Sequence, residues 1–112
     1  MNWIELFDKL VIGIATELKL KFFKTNSGYL LSRENVFIGG ISYIIGRNEK
    51  LRILTNPAPA RFKGMPIESI PKVSIFLGRP IDLGEYTMEE LQGRNSKARK
   101  AIIAKLIELS KK

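Results

Sequence analysis

Residues 18–54 read LKLKFFKTNSGYLLSRENVFIGGISYIIGRNEKLRIL. Apolar runs alternate here with short polar clusters, and that punctuation decides the fold. Leu18-Lys-Leu-Lys-Phe22 alternates apolar and basic residues, the pattern of a strand with one wet face. Thr25-Asn-Ser-Gly28 supplies turn residues, and Tyr29-Leu-Leu-Ser32 returns as a second strand. The segment from Val36 to Ile45 is β-branched and aromatic, and Gly39-Gly40 inside it predicts a bulge or a close backbone approach. Arg47-Asn-Glu-Lys50 is turn-like, after which Leu51 to Leu54 pairs back. The expectation is an antiparallel meander.

Helices flank it. Trp3, Ile4, Phe7, Leu10, Val11, Ile14 and Leu18 recur at helical spacing, predicting an amphipathic helix from Asn2 to about Glu17 with Glu5, Lys9 and Thr16 opposite. Gly13 within it costs about 1 kcal/mol relative to Ala, which predicts a close packing contact at that point. Downstream, Asn56-Pro-Ala-Pro-Ala60, Met65-Pro66 and Ile70-Pro71 enclose a loop in which Pro blocks helix propagation and ladder donation. Val73-Ser-Ile-Phe-Leu77 then reads as a final strand stopped by Gly78 and Pro80. Thr87-Met-Glu-Glu90 has the form of a capping box. Gly93 and Asn95 interrupt the helix begun there, and a longer one runs from about Ser96 to Ser110 with Ala98, Ile102, Ile103, Leu106, Ile107 and Leu109 on one side. These elements predict a single α+β domain over residues 1–112. Its N-terminal helix and basic amphipathic C-terminal helix pack on the same face of an antiparallel sheet of four or five strands, because both helices need an apolar partner.

A chain of 112 residues, 45% hydrophobic and 27% charged, has a globular composition and can bury a core without staples. It contains no Cys and no His. Disulfides, thiolate nucleophiles, Ser-His and Cys-His dyads and the commonest transition-metal ligands are therefore excluded. Acid-base or metal chemistry would fall to Asp, Glu, Lys or Tyr, yet the carboxylates are scattered. A nuclease built on Asp82, Glu85 and a lysine is the only such arrangement worth naming. Gly39-Gly40 lacks the Lys-Ser/Thr that comes next in a phosphate-cradling loop. No cofactor or metal is expected. The first ten residues do not read as a secretory signal, and the longest nearly apolar run, residues 36–46, is about half what a spanning helix needs. A cytoplasmic location is the expectation.

The net charge is +8, and it is unevenly placed. Arg94, Lys97, Arg99, Lys100, Lys105, Lys111 and Lys112 crowd the C-terminal helix, opposed there by Glu108 alone. On a helical wheel Lys97, Lys100 and Lys111 point away from the apolar stripe, with Arg94 and Lys105 nearer its flank, while Arg99 falls among Ile102, Ile103 and Leu106. Arg99 must either snorkel outward or pair with a carboxylate at the core edge. Lys19, Lys21 and Lys24 are read as sharing the wet side of the first strand, where aromatic residues could stack bases. Arg61, Phe62 and Lys63 put a basic-aromatic pattern on the Pro-rich loop, with Phe62 either a stacking platform or a plug in the core.

Residues 72–83, KVSIFLGRPIDL, followed by a short helix and a Lys-rich one, resemble the tail of glycerolipid acyltransferases, where a strand ends in Gly-x-Pro-Ile. That family's catalytic His-x4-Asp motif is impossible in a chain without His, so the resemblance carries no activity. The helix, meander and basic final helix beginning Ser96-Lys-Ala-Arg-Lys100 are also similar in outline to double-stranded RNA-binding domains, from which residues 56–82 and the missing loop His depart.

Binding rather than catalysis is the expectation. Nucleic acid, DNA or RNA, is the expected partner. It would be held through its phosphates by Arg94, Lys97, Lys100 and Lys105, assisted by Lys19, Lys21, Lys24 and the Arg61 to Lys63 loop. The alternative is a protein-interaction or assembly subunit, or a homo-oligomer, in which the Val36 to Ile45 segment or the Pro-rich loop meets a partner and the charge serves solubility. A membrane surface is a third and less favoured partner.

Overall fold

Asn2 opens the first helix by accepting a hydrogen bond from the Glu5 amide at 2.8 Å, so the chain is committed to α1 from its second residue. The computed structural model describes residues 2–26, 28–34, 36–46, 48–58, 62, 65, 79–93 and 96–110. Helix α1 spans Trp3–Leu18 and buries Leu6, Phe7, Leu10, Val11, Ile14 and Ala15. It ends one residue later than its periodicity predicts. Lys19, in the left-handed conformation at φ 57°, donates its amide to Ala15 and Thr16 and closes the last turn.

Five strands come next among the described residues: β1 Lys21–Lys24, β2 Gly28–Arg33, β3 Val36–Ile45, β4 Leu51–Pro57 and β5 Ile81–Tyr86. Each pairs antiparallel with its sequence neighbour, in the order β1-β2-β3-β4-β5. The meander is as the turn residues require. The predicted irregularity at Gly39-Gly40 is also present. Leu31 faces Gly39 while Ser32 faces Phe37, leaving Ile38 as the extra residue of a bulge. Gly39 sits at φ +145°, and a Cβ there would collide with the backbone carbonyl of Asn56. Only glycine satisfies both conditions.

The bulge sets which side chains face which way. Tyr29, Leu31, Ile38, Ile41, Leu51, Ile53 and Tyr86 join the helices in the main core, whereas Leu30 and Phe37 form a second, smaller cluster on the other face with Phe62. The closing strand that the sequence predicts, residues 73–77, lies outside the described residues. Among the described residues the fifth strand is Ile81–Tyr86, which the sequence reading did not predict and which begins directly after Pro80, where a missing amide donor is tolerated.

Thr87 and Glu90 form the anticipated capping box at the start of a short helix, α2, Met88–Leu91. Helix α3 spans Lys97–Ser110 and opens with the Arg99 amide donating to Ser96 Oγ at 3.1 Å. It buries Ala98, Ile102 and Leu106 and lies against β3 and β5, on the face that α1 also covers. Burying Ile102 or Leu106 is worth about 1.5–3 kcal/mol each, which fixes the rotation of α3 and hence the direction of every cation on it. No helix among the described residues is long and apolar enough to cross a membrane.

Candidate nucleic-acid interface

Because Ala98, Ile102 and Leu106 face inward at steps of one turn, the opposite side of α3 presents Lys97, Lys100, Ala104, Ile107 and Glu108 to solvent. Lys97 and Lys100 are exposed there, and neither forms an ion pair among the described residues. Ile107, read from the sequence as part of the apolar side, is 40% exposed.

The remaining cations of this helix behave differently. Lys105 lies on the flank, its side chain only 20% exposed, and pairs with Glu108 one turn on at 3.3 Å. Arg99 takes the paired rather than the snorkelled solution. Its side chain is 16% exposed, donates to Glu17 Oε2 at 2.9 Å, and runs across Gly13 of α1, whose added Cβ would meet Arg99 Nη1 at 3.3 Å. Gly13 is therefore the close contact that its cost in a helix implied.

The cations of the first strand do not share a side. Successive residues of a strand alternate, and the register places Lys24 opposite Tyr29 on the helix-covered face and Lys21 opposite Ser32 on the other. Lys24 is bound to Asp8 at 3.3 Å, and Asp8 also accepts from the Tyr29 hydroxyl at 2.8 Å. Burial, then the Asp8 hydrogen bond and charge, push the Tyr29 hydroxyl up to about 12. Lys19 caps α1 and is exposed. Lys19 and Lys21 flank Leu20, which lines a groove together with Leu106, Ile107 and Ser110 of the last turns of α3. A helix of this length spans about 20 Å, so Lys19 and Lys21 stand at the opposite end from Lys97.

Phe62 is 5% exposed and packed against Leu30 and Phe37, so it plugs the second cluster and offers no open ring for stacking. Tyr29 and Phe37 are likewise buried, while Phe22 and Phe23 stay 43% and 38% exposed. Arg61, Lys63, Arg94, Lys111 and Lys112 lie outside the described residues.

Around the start of α3 the structure adds a residue that sequence reading missed. The Glu90 carboxyl is held below its ordinary range, first by the Thr87 backbone hydrogen bond and further by the charges of Lys97 and Lys50. Lys50, in the β3–β4 turn, therefore lies near enough to Lys97 for both to act on one carboxylate. Its position 47 residues earlier in the chain gives no local signal of that. Asp82 and Glu85, the carboxylates considered for a nuclease, both bind Arg52 on the sheet face away from the helices. Among the described residues no group of three acidic side chains could hold a metal ion.

Comparison with known proteins identifies no relative: no family model, no curated protein and no solved structure matches the chain.

Proposed function

We propose that this chain is a small non-enzymatic nucleic-acid-binding protein of the cytoplasm, holding the phosphate backbone at the start of α3. Lys97 and Lys100 make the central contacts and Lys50 stands beside them; Arg94 belongs to the same stretch of sequence. The observation that carries the reading is the contrast on one helix: Arg99 and Lys105 are neutralised, whereas Lys97 and Lys100 are exposed and form no ion pair among the described residues. A protein with a net charge of +8 that keeps these two cations out of ion pairs, with the Glu90 carboxylate near Lys97 as the acid a ligand has to outcompete, offers a polyanion an accessible site. Contacts of this kind position a duplex or a strand without reading its sequence.

Fluorescence anisotropy with labelled duplex DNA, duplex RNA and single strands, between about 50 and 200 mM salt, tests this. Affinity is expected to fall linearly on a log-log plot. Lys97→Ala with Lys100→Ala should flatten the slope by about 1.8 on duplex DNA, equally for unrelated sequences. Absence of binding at low salt, or an unchanged slope in the double variant, overturns the reading.

A second reading, assembly with a protein partner, is favoured by one observation. Within Val36–Ile45 the residues 37–41 are buried, but Ile44 and Ile45 remain 53% and 50% exposed at the strand end. Light scattering after size exclusion, with and without nucleic acid, separates the two. A salt-insensitive oligomer indifferent to DNA and RNA supports assembly.

A further inference from the structure

At the other end of the molecule, where α1 and α3 finish, the surface changes character. Leu18, Leu20, Ile38, Leu106 and Ile107 line a groove of about 250 Å³, with Arg33 and Ser110 completing its wall among the described residues. Val36, the strand partner of Arg33, is 44% exposed. Three cations stand at this edge: Arg33 in the wall of the groove, Lys19 beside Leu20, and Lys21 on the opposite face of β1. Among the described residues no carboxylate pairs with any of them.

Leu20 leads directly into β1, which among the described residues is the outermost strand on its side of the sheet and pairs only with β2. All four of its residues are exposed. Among the described residues nothing pairs with its outward backbone donors and acceptors, the geometry that a further strand can use. A second copy of this chain does not suit that edge, because pairing β1 with itself would bring the lysine-bearing edge strands of both copies together, like charge beside like charge. The groove is also smaller than the roughly 300–1,000 Å³ of pockets that enclose small ligands. An anchoring side chain matches it better, and a polypeptide is the occupant that can also use the open backbone edge.

We propose that this end is a docking site for an extended acidic segment of a partner protein, which lies along β1, seats an aliphatic side chain among Leu18, Leu20, Ile38, Leu106 and Ile107, and offers carboxylates to Lys19, Lys21 and Arg33. The site is separate from Lys97 and Lys100 and does not depend on the nucleic-acid reading.

The test uses the full chain, ¹⁵N-labelled, and a blocked nonapeptide alternating glutamate with leucine. A glutamate-serine nonapeptide of equal charge and phosphatidylglycerol vesicles serve as comparison probes. The glutamate-leucine peptide is expected to bind saturably and to shift amides of residues 18–24, 33, 38 and 106–110. Arg33→Glu with Lys21→Glu should weaken it roughly tenfold or more, as should Ile107→Asp. These side chains are exposed, so circular dichroism should remain that of the parent. Lys97→Ala with Lys100→Ala should leave the affinity unchanged. Equal affinity for the glutamate-serine peptide, shifts centred on Lys97 and Lys100, or vesicles that move the same amides while the peptide does not, would each overturn the proposal.

Discussion

The flanks where the helices meet the sheet and the outer side of α3 treat the same residue types in opposite ways. On the flanks, charges come in matched sets: Asp8 with Lys24 and the Tyr29 hydroxyl, Glu17 with Arg99, Glu108 with Lys105. On the outer side, Lys97 and Lys100 stand without ion-pair partners among the described residues. Arg99 and Lys105, at the edge of a dry core, need a carboxylate to offset lost hydration, and a cation in water does not. Counting basic residues along the sequence therefore overstates the charge available to a ligand. What matters is the angle at which each leaves its helix.

The largest expected effect tests what sets that angle. Ile102→Ala removes an inward anchor of α3 and should cost about 2–5 kcal/mol in urea denaturation; a much smaller loss would mean that α3 is not held in one rotation. Next comes the flank at Tyr29. With its hydroxyl raised to about 12 from a reference near 10, the stabilisation is complete below pH 10 and is lost as the pH climbs from 10 towards 12. Tyr29→Phe should flatten the stability profile in that window, and an identical profile would show that the tyrosine does not contribute there. Glu17→Gln strands the guanidinium of Arg99 and should cost about 1 kcal/mol, discounted because the carboxylate side is half in water. Adding Arg99→Met should recover most of the loss, and additive losses would deny the pairing. Smallest of all, Lys97→Ala with Lys100→Ala should move stability by less than about 0.5 kcal/mol. A larger change would place those lysines among the structural charges and remove the contrast.

Much of the fold was legible because local chemistry dictates it. Turn residues at 25–28 and 47–50 cut the meander, Gly39 announced the bulge, and Thr87 with Glu90 announced a helix start. The rotation of α3 could be read from its apolar spacing, which sent Lys97 and Lys100 outward. What escaped depended on distance or on parity. Glu17 and Arg99 meet across 82 positions, and nothing near either announces the other. Lys21 and Lys24 differ by an odd number of positions and so cannot share a strand face. Strand β5 was missed because Gly84 and two acidic residues dilute its apolar pattern. Those acids are held by Arg52 across the strand pair. Phe62 looked available for stacking on a Pro-rich loop, yet Leu30 and Phe37 on the second sheet face gave it an apolar place to go.

Every strand of the sheet lies beside its neighbour in sequence, whereas the two long helices clasp each other across nearly the whole chain. Closing a long loop costs more entropy than zipping a hairpin, so the hairpins are expected to form first and the clasp last. Disrupting Arg99 should then hasten unfolding in stopped-flow experiments and leave the refolding rate unaltered. On the ribosome the same order has a cellular cost. Helix α3 emerges after the five described strands, and until it docks, the part of the sheet it covers, on β3 and β5, lacks its lid, giving chaperones and stray chains a brief opportunity to bind.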